Sequence, residues 1–154
     1  MAITIHKGTH ADTPSLVEFN AAMALETEGK KLDIDTLTAG VKALLDQPAH
    51  GFYLVAKRDR QAVGSLMITY EWSDWRNGLF WWIQSVYVHP DARRQGVYRQ
   101  LYEQVAHMAA AEAGVIGYRL YVEKANTIAR SVYEKLGMQL ASYRLYETEI
   151  RLPR

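Results

Sequence analysis

The residues best suited to chemistry lie at one junction, Val86-Tyr87-Val88-His89-Pro90-Asp91-Ala92-Arg93-Arg94-Gln95-Gly96-Val97-Tyr98-Arg99. An apolar, β-branched run stops at a proline, a basic stretch carries one glycine, and a helical period starts at once. This is a strand, a turn and a helix N-terminus. Amide groups at a helix start have no intrahelical partner, and the helix dipole adds partial positive charge there. The junction therefore suits an anion, most naturally a phosphate or pyrophosphate. A Cβ at Gly96 would obstruct the close approach of phosphate oxygens. The loop is neither a P-loop, which ends in Gly-Lys-Ser/Thr, nor a dinucleotide loop with three spaced glycines.

A second segment, Leu120 to Met138, again feeds a strand into a helix, with Asn126 suited to the N-cap and Gly137 to the position just past the helix end. Taken in order, the two segments resemble the GNAT superfamily of N-acetyltransferases. The first matches its Gln/Arg-x-x-Gly-x-Gly/Ala loop with Arg93 and Gly96, and departs from it at Tyr98. The second matches Asn-x-x-Ala-x-x-x-Tyr with Asn126, Ala129 and Tyr133, and Gly137 and Met138 close the helix as the family does. The resemblance extends in outline over most of the chain. The order of segments is similar to the diamine (spermidine/spermine-type) acetyltransferase branch.

The resemblance implies a single α/β domain over residues 1–154, with a mixed sheet of six or seven strands, a splayed parallel pair and about four helices. It implies acetyl-CoA as cosubstrate and no metal. The pantetheine arm would lie between the strand Val86, Tyr87, Val88 and a parallel neighbour at Gly117 to Val122, pairing with free backbone as an added strand would. The pyrophosphate would rest on the amides of Arg94, Gln95, Gly96, Val97 and Tyr98, with the side chains of Arg93, Arg94 and Arg99 nearby. One of Arg93 and Arg94 stays in solvent, since both do not easily face one phosphate. The Tyr98 amide is expected to keep its contact while the ring turns outward, with stacking on Tyr102 as the alternative. Asn126 caps its helix and, with Ala129, meets the CoA arm.

Acetyl transfer from a thioester to an amine needs a deprotonated amine, a stabilised oxyanion and a protonated thiolate. By resemblance, Tyr133 is the general acid and the Val86 amide polarises the thioester carbonyl. Gln84 stands where several relatives carry a glutamate base. An amide cannot take a proton at neutral pH, but it can orient a water or the amine. The base then lies elsewhere, with Glu71, Glu26, Glu28 and Asp74 as candidates, or the amine arrives deprotonated. The acceptor is expected at about Leu25 to Asp33 and Tyr70 to Gly78. There Glu26, Glu28, Glu71, Trp72 and Asp74 offer carboxylates and an aromatic face to a cation. The expected reaction is direct transfer in a ternary complex to a primary amine of a small molecule such as a polyamine or amino acid. The alternative is a catalytically reduced CoA-binding regulatory or interaction module.

Composition narrows the classes. The 154 residues are enough for a core without disulfides or metals. There is no cysteine, which excludes thiolate metal sites and a cysteine acyl-enzyme. The five histidines show no metal-ligand spacing. A net charge of +1 argues against nucleic acid as partner. No apolar stretch reaches membrane-spanning length, and the first residues do not resemble a signal peptide. A cytoplasmic protein that does not engage a membrane is expected, and its aromatic excess suggests a homodimer.

The elements that must position these residues follow from periodicity. Strands are expected at Ile3–Lys7, Gly51–Lys57, Ala62–Trp72 and Leu79–Val88, and closing strands in Gln139–Arg151. Helices are expected from Thr13-Pro14 to about Leu25, from near Asp35 with Leu37, Val41, Leu44 and Leu45 on one face, and after each of the two motif loops. Trp81 and Trp82 are expected in the core or an interface, and His89 is expected to shape the turn before Pro90.

Overall fold

The computed structural model describes residues 2–151. They fall into two compact units, one running to Leu120 and the other starting at Tyr121.

The first unit is a five-stranded sheet in sequence order, β1 (Ile3–Lys7), β2 (Gly51–Arg58), β3 (Gln61–Ser73), β4 (Gly78–Val88) and β5 (Val115–Leu120). The first three pairings are antiparallel, and β4 with β5 is parallel. Asp59 and Arg60, both with positive φ, make the two-residue turn between β2 and β3. Helices α1 (Thr13–Glu28) and α2 (Ile34–Asp46) cover one face. Leu16 and Val41 pack there on Tyr53 and Val55. Helix α3 (Val97–Ala111) covers the other face with Val97, Leu101, Tyr102, Val105 and Ala109 buried. Gly64 makes this close seating workable. A Cβ there would lie 3.0 Å from the Tyr87 carbonyl and 3.2 Å from Val97 Cγ1. The first turn of α3 is therefore held against β3, opposite the end of β4.

Capping explains the helix ends. Pro14 occupies the first turn of α1, and Gly29, at φ 64°, stops it. The helix thus runs past Leu25, and Glu26 and Glu28 belong to its last turn rather than to a loop. Asp33 caps α2 by accepting from the Thr36 amide at 2.9 Å.

The second unit holds α4 (Thr127–Lys135). Asn126 accepts from the Ala129 amide at 3.0 Å. At the other end the Gly137 amide returns to Glu134 and that of Met138 to Tyr133. With Gly137 at φ 91°, this is the Schellman ending that the spacing predicts.

The sheet has five strands rather than six or seven, because Gln139–Arg151 forms none. A strand exists only where a neighbouring edge accepts its ladder bonds. Here the alternation changes phase between Leu140 and Tyr143 and again between Leu145 and Tyr146. These four side chains are 64–93% exposed. The parallel neighbour of β4 likewise ends at Leu120 rather than Val122.

A buried ion pair fixes the start of the fold. Asp12 is 4% exposed, accepts from the Thr9 amide at 2.8 Å, and pairs with Lys57 Nζ at 3.2 Å. Burial pushes its carboxyl up, but the Thr9 amide, Lys57 and His6 together outweigh burial and hold it below the usual carboxylate value. Its stabilisation is therefore complete above about pH 4 and is lost as pH falls through the lowered value. Asp12→Asn should cost about 2 kcal/mol at neutral pH. The gap between wild type and variant should narrow in melts taken from pH 5 down to pH 2.

Candidate active site

β4 organises the site. It pairs with β5 only from Leu79 to Ile83, so its last five residues, Gln84 to Val88, run without a partner on that side. On the other side the ladder with β3 jumps from Met67↔Gln84 to Ser65↔Tyr87. Two residues, Ser85 and Val86, thus oppose the single residue Leu66. This is a β-bulge, with Ser85 at φ 53°. The bulged pair has no ladder partner on either strand. The Val86 amide therefore lies at a break in both ladders, where an acyl carbonyl or an added strand would need a donor.

β4 ends in a rigid turn. His89 Nδ1 accepts from the Asp91 amide at 3.1 Å, and Pro90–Ala92 makes one 3-10 turn with Ala92 fully buried. Two residues of left-handed conformation follow, Arg94 at φ 62° and Gly96 at φ 78°. They turn the chain into α3, for which Gly96 is the N-cap. The first amide to bond back within the helix is that of Gln100, to the Gly96 carbonyl at 3.0 Å. The amides of the first turn thus face outward along the helix axis. No acidic side chain stands in that turn. An ideal Cβ on Gly96 would meet nothing nearer than Gln100 Nε2 at 4.0 Å. The concavity is open where a phosphate group would lie, so the residues present fit an anion.

The cations of the loop divide by role. Arg93 folds inward. Its Nε donates to the Val88 carbonyl at 2.9 Å and its terminal nitrogen to Glu26 Oε2 at 2.8 Å, while its guanidinium lies 5.4 Å from the Tyr87 ring centre. Gln95 bonds Arg58 and the Asp91 carbonyl. Arg99 pairs with Glu103 one turn along α3. Arg94 is exposed and follows directly on Arg93. Of the two adjacent arginines, then, Arg93 is the one committed to the protein.

Tyr98 does not turn out into solvent. Its ring is half-buried and its hydroxyl oxygen is shielded from water. Tyr102 packs edge-on against Tyr118 of β5 at 5.7 Å. Burial, and then the bond to Tyr118, push the Tyr102 hydroxyl well above its ordinary value.

The acidic candidates separate. Glu26 uses both oxygens, one for Arg93 and the other for the Tyr87 hydroxyl at 3.0 Å. These two bonds hold it below the usual carboxylate value, while burial and Glu26 raise Tyr87. Glu28 is exposed on the last turn of α1. Glu71 accepts from Trp82 Nε1 at 2.7 Å and from Arg119 at 3.2 Å. Arg119 in turn stacks 3.5 Å from the Phe80 ring centre. Beside Glu71, then, the rings of Phe80 and Trp82 already hold one of the chain's own cations.

Glu71 is opposite Phe80, and Trp72 is opposite Leu79. At about 3.3 Å per residue, Glu71 lies roughly 20 Å along the sheet from Val86, and Trp72 lies further. Asp74 is in the hairpin turn, where it accepts from the Trp75 amide. These three are not brought together with the bulge. Gln84 is. It adjoins Ser85, is half-buried, and its Nε2 donates to Thr69 Oγ1. Trp81 is buried against Phe52, as expected of a core residue.

Sequence reasoning missed the partnership of Glu26, Tyr87 and Arg93, and missed Arg119 altogether. Glu26 and Arg93 are 67 residues apart. The only sequence signal is an α1 last turn that carries two acids and no base. In Tyr133, Asn126 and Ala129 the second unit keeps the pattern the sequence displays, on a properly capped helix. Among the described residues no cluster of His, Asp or Glu is arranged to hold a metal ion, and no helix is long and apolar enough to cross a membrane.

Comparison with known proteins gives the same direction. The model of the Acetyltransferase (GNAT) family matches residues 18–138. A possible acetyltransferase from Clostridium difficile 630 is 43% identical, with a TM-score of 0.92 over 99% of this chain and 100% of its own. A probable acetyltransferase shares the fold at 20% identity and a TM-score of 0.84, over 98% and 99% of the two chains. A predicted acetyltransferase from Clostridium acetobutylicum, solved with acetyl-CoA, does so at 19% identity and 0.77, over 96% of each. No curated protein matches the sequence. With nearly four fifths of its length under the family model and a close structural relative over nearly all of it, the chain belongs to the GNAT acetyltransferase family.

Proposed function

We propose that this acetyltransferase moves the acetyl group of acetyl-CoA to a primary amine of a small molecule, by direct transfer in a ternary complex and as one domain over residues 1–154. The observation that carries the reading is that β4 parts from β5 after Ile83 while the Ser85–Val86 bulge interrupts its ladder with β3, ahead of a helix whose N-cap, Gly96, has no side chain to bond the first-turn amides.

In this reading the first-turn amides of α3, with Gly96 and Arg94, receive the pyrophosphate. The free backbone of Val86 to Val88 pairs with the pantetheine amides, and the Val86 amide donates to the thioester oxygen. The amine nitrogen attacks the acyl carbon; a C–N bond forms, the C–S bond breaks, and the electron pair leaves on sulfur. Tyr133 gives a proton to that sulfur, a role that rests on its place in the Asn126-Ala129-Tyr133 pattern, and its phenolate regains one from water. The Thr69 bond orients the Gln84 amide, whose oxygen is an acceptor for an amine N–H or a water. Gln84 takes up no proton itself, so the proton lost by the amine goes to water.

The acceptor is approached from the last turn of α1 and the residues after it, where Glu28 and Asp33 are exposed. A polyamine or amino acid fits this chemistry, as in the diamine branch that the segment order resembles. Exposed Trp72 and Trp75, at 59% and 95%, support a homodimer. A cytoplasmic setting is in keeping with a chain free of cysteine. A CoA-binding module without turnover is the second reading, favoured by an amide at position 84 where a carboxylate would serve as base.

Acetyl-CoA at about 100 times its dissociation constant should stabilise the protein by roughly 2.7 kcal/mol, a shift of several degrees in a thermal melt. Gly96→Trp should fold and lose that shift. A wild type that does not respond would remove the acyl-CoA reading altogether. Tyr133→Phe should keep the shift and lose about 100-fold in kcat in an amine screen followed by free-thiol release. Unchanged kcat would remove Tyr133 from the proton path. A shift without turnover on any amine would select the binding module.

A further inference from the structure

Glu26 and Arg93 are expected at opposite substrates, one at the amine and the other at the phosphate. The structure joins them in a single ion pair, and the geometry around it says which substrate it serves.

Helix α1 ends unfavourably. Its last turn carries Glu26 and Glu28 and no basic residue, although a helix C-terminus prefers cations. Arg93 supplies the missing cation. Glu26 does not reach toward the exposed end of the helix; one oxygen takes the Tyr87 hydroxyl and the other takes Arg93. Phe19 of the same helix packs its ring centre 5.5 Å from that of Tyr87, tilted by 35°. Arg93 passes the constraint on, because its Nε holds the Val88 carbonyl at 2.9 Å. Val88 is the last residue of β4, in the stretch without a β5 partner. Arg93 itself directly precedes the left-handed pair Arg94 and Gly96. One carboxylate therefore pins the residue from which the anion loop departs. It also commits the Arg93 guanidinium to Val88 and Glu26.

We infer that Glu26 is a positioning residue for the acyl donor: through Arg93 it fixes the loop that receives the pyrophosphate, and it does not bind the amine. This rests on the acetyl-CoA reading given above. The carboxylate matters as a charged acceptor of two bonds, so a shorter acid retains part of the effect and a neutral amide retains little.

The test is calorimetric titration with CoA of the wild type, Glu26→Gln, Glu26→Asp, Arg93→Lys and the Glu26→Gln/Arg93→Lys pair, with melts of each variant without ligand. Glu26→Gln should melt close to wild type and bind CoA about fivefold more weakly. Glu26→Asp should recover part of the loss. Arg93→Lys keeps the charge but lacks the planar fork that spans Glu26 and Val88, so it should match Glu26→Gln. The double variant should be no weaker than either single one. CoA affinity that is unchanged or tighter in Glu26→Gln would overturn the inference, as would fully additive losses in the pair. If Glu26→Gln fails to fold, Arg93→Lys decides alone: unaltered CoA binding there overturns it. A wild type that does not bind CoA would instead mark failure of the acetyl-CoA reading.

Discussion

The structure depends on one constraint: β4 must part from β5 before it ends, while staying on β3 to its last residue. A central strand normally satisfies its amides on both sides, and an unpaired buried backbone group costs free energy comparable to a lost hydrogen bond. Here β5 stops pairing at Ile83, and the Ser85–Val86 bulge breaks the ladder with β3 just beyond. The unpaired groups are a debt that an external strand-like ligand can settle. Everything around them holds that arrangement in place. Gly64 lets α3 sit tightly against β3, the buried Ala92 anchors the turn, and Arg93 ties the last carbonyl of β4 to α1.

The electrostatics follow from the same design. The turn into α3 presents backbone amides and the positive end of the helix dipole, which favour negative charge without free cations. Several arginines are matched within the protein, Arg93 by Glu26 and Arg99 by Glu103 at the loop, and Arg119 by Glu71 further along the sheet. These pairs are exposed or half-exposed, and their contribution to stability is small. Their consequence is geometric. They fix planar groups in chosen orientations, with Glu26 bonded through both oxygens and Glu71 through Oε1. Gln84, held by Thr69, adjoins the bulge.

Much of this was legible in the residues. The proline that ends β4, the glycine before α3, and the Asn126 and Gly137 caps of α4 act within a few residues of themselves. Local sequence is enough to place them. The strand and helix order of the first 120 residues followed from periodicity, because each of those elements buries one face. The C-terminal segment did not follow. Its partial alternation satisfies the pattern for a strand, yet pairing depends on an edge elsewhere, and the pattern holds no information about that edge. The helix end at Glu28 was also misjudged. A polar run looks like a break, whereas the actual stop is the positive φ of Gly29.

The amino-acid sequence by itself determined the family, the strand–turn–helix junction before α3 and the capped helix that carries Tyr133, because each is written in short-range spacing. Tertiary structure decided which charges are available. Glu26 meets Arg93 across 67 residues, and Arg119 meets Glu71 across 48. No periodicity encodes such meetings. They arise because a sheet brings strand ends and helix ends together, and opposite charges that find themselves adjacent pair off. Hence the strand, turn and helix start of the loop could be read from the chain, but which of its charged side chains are paired within the protein could not.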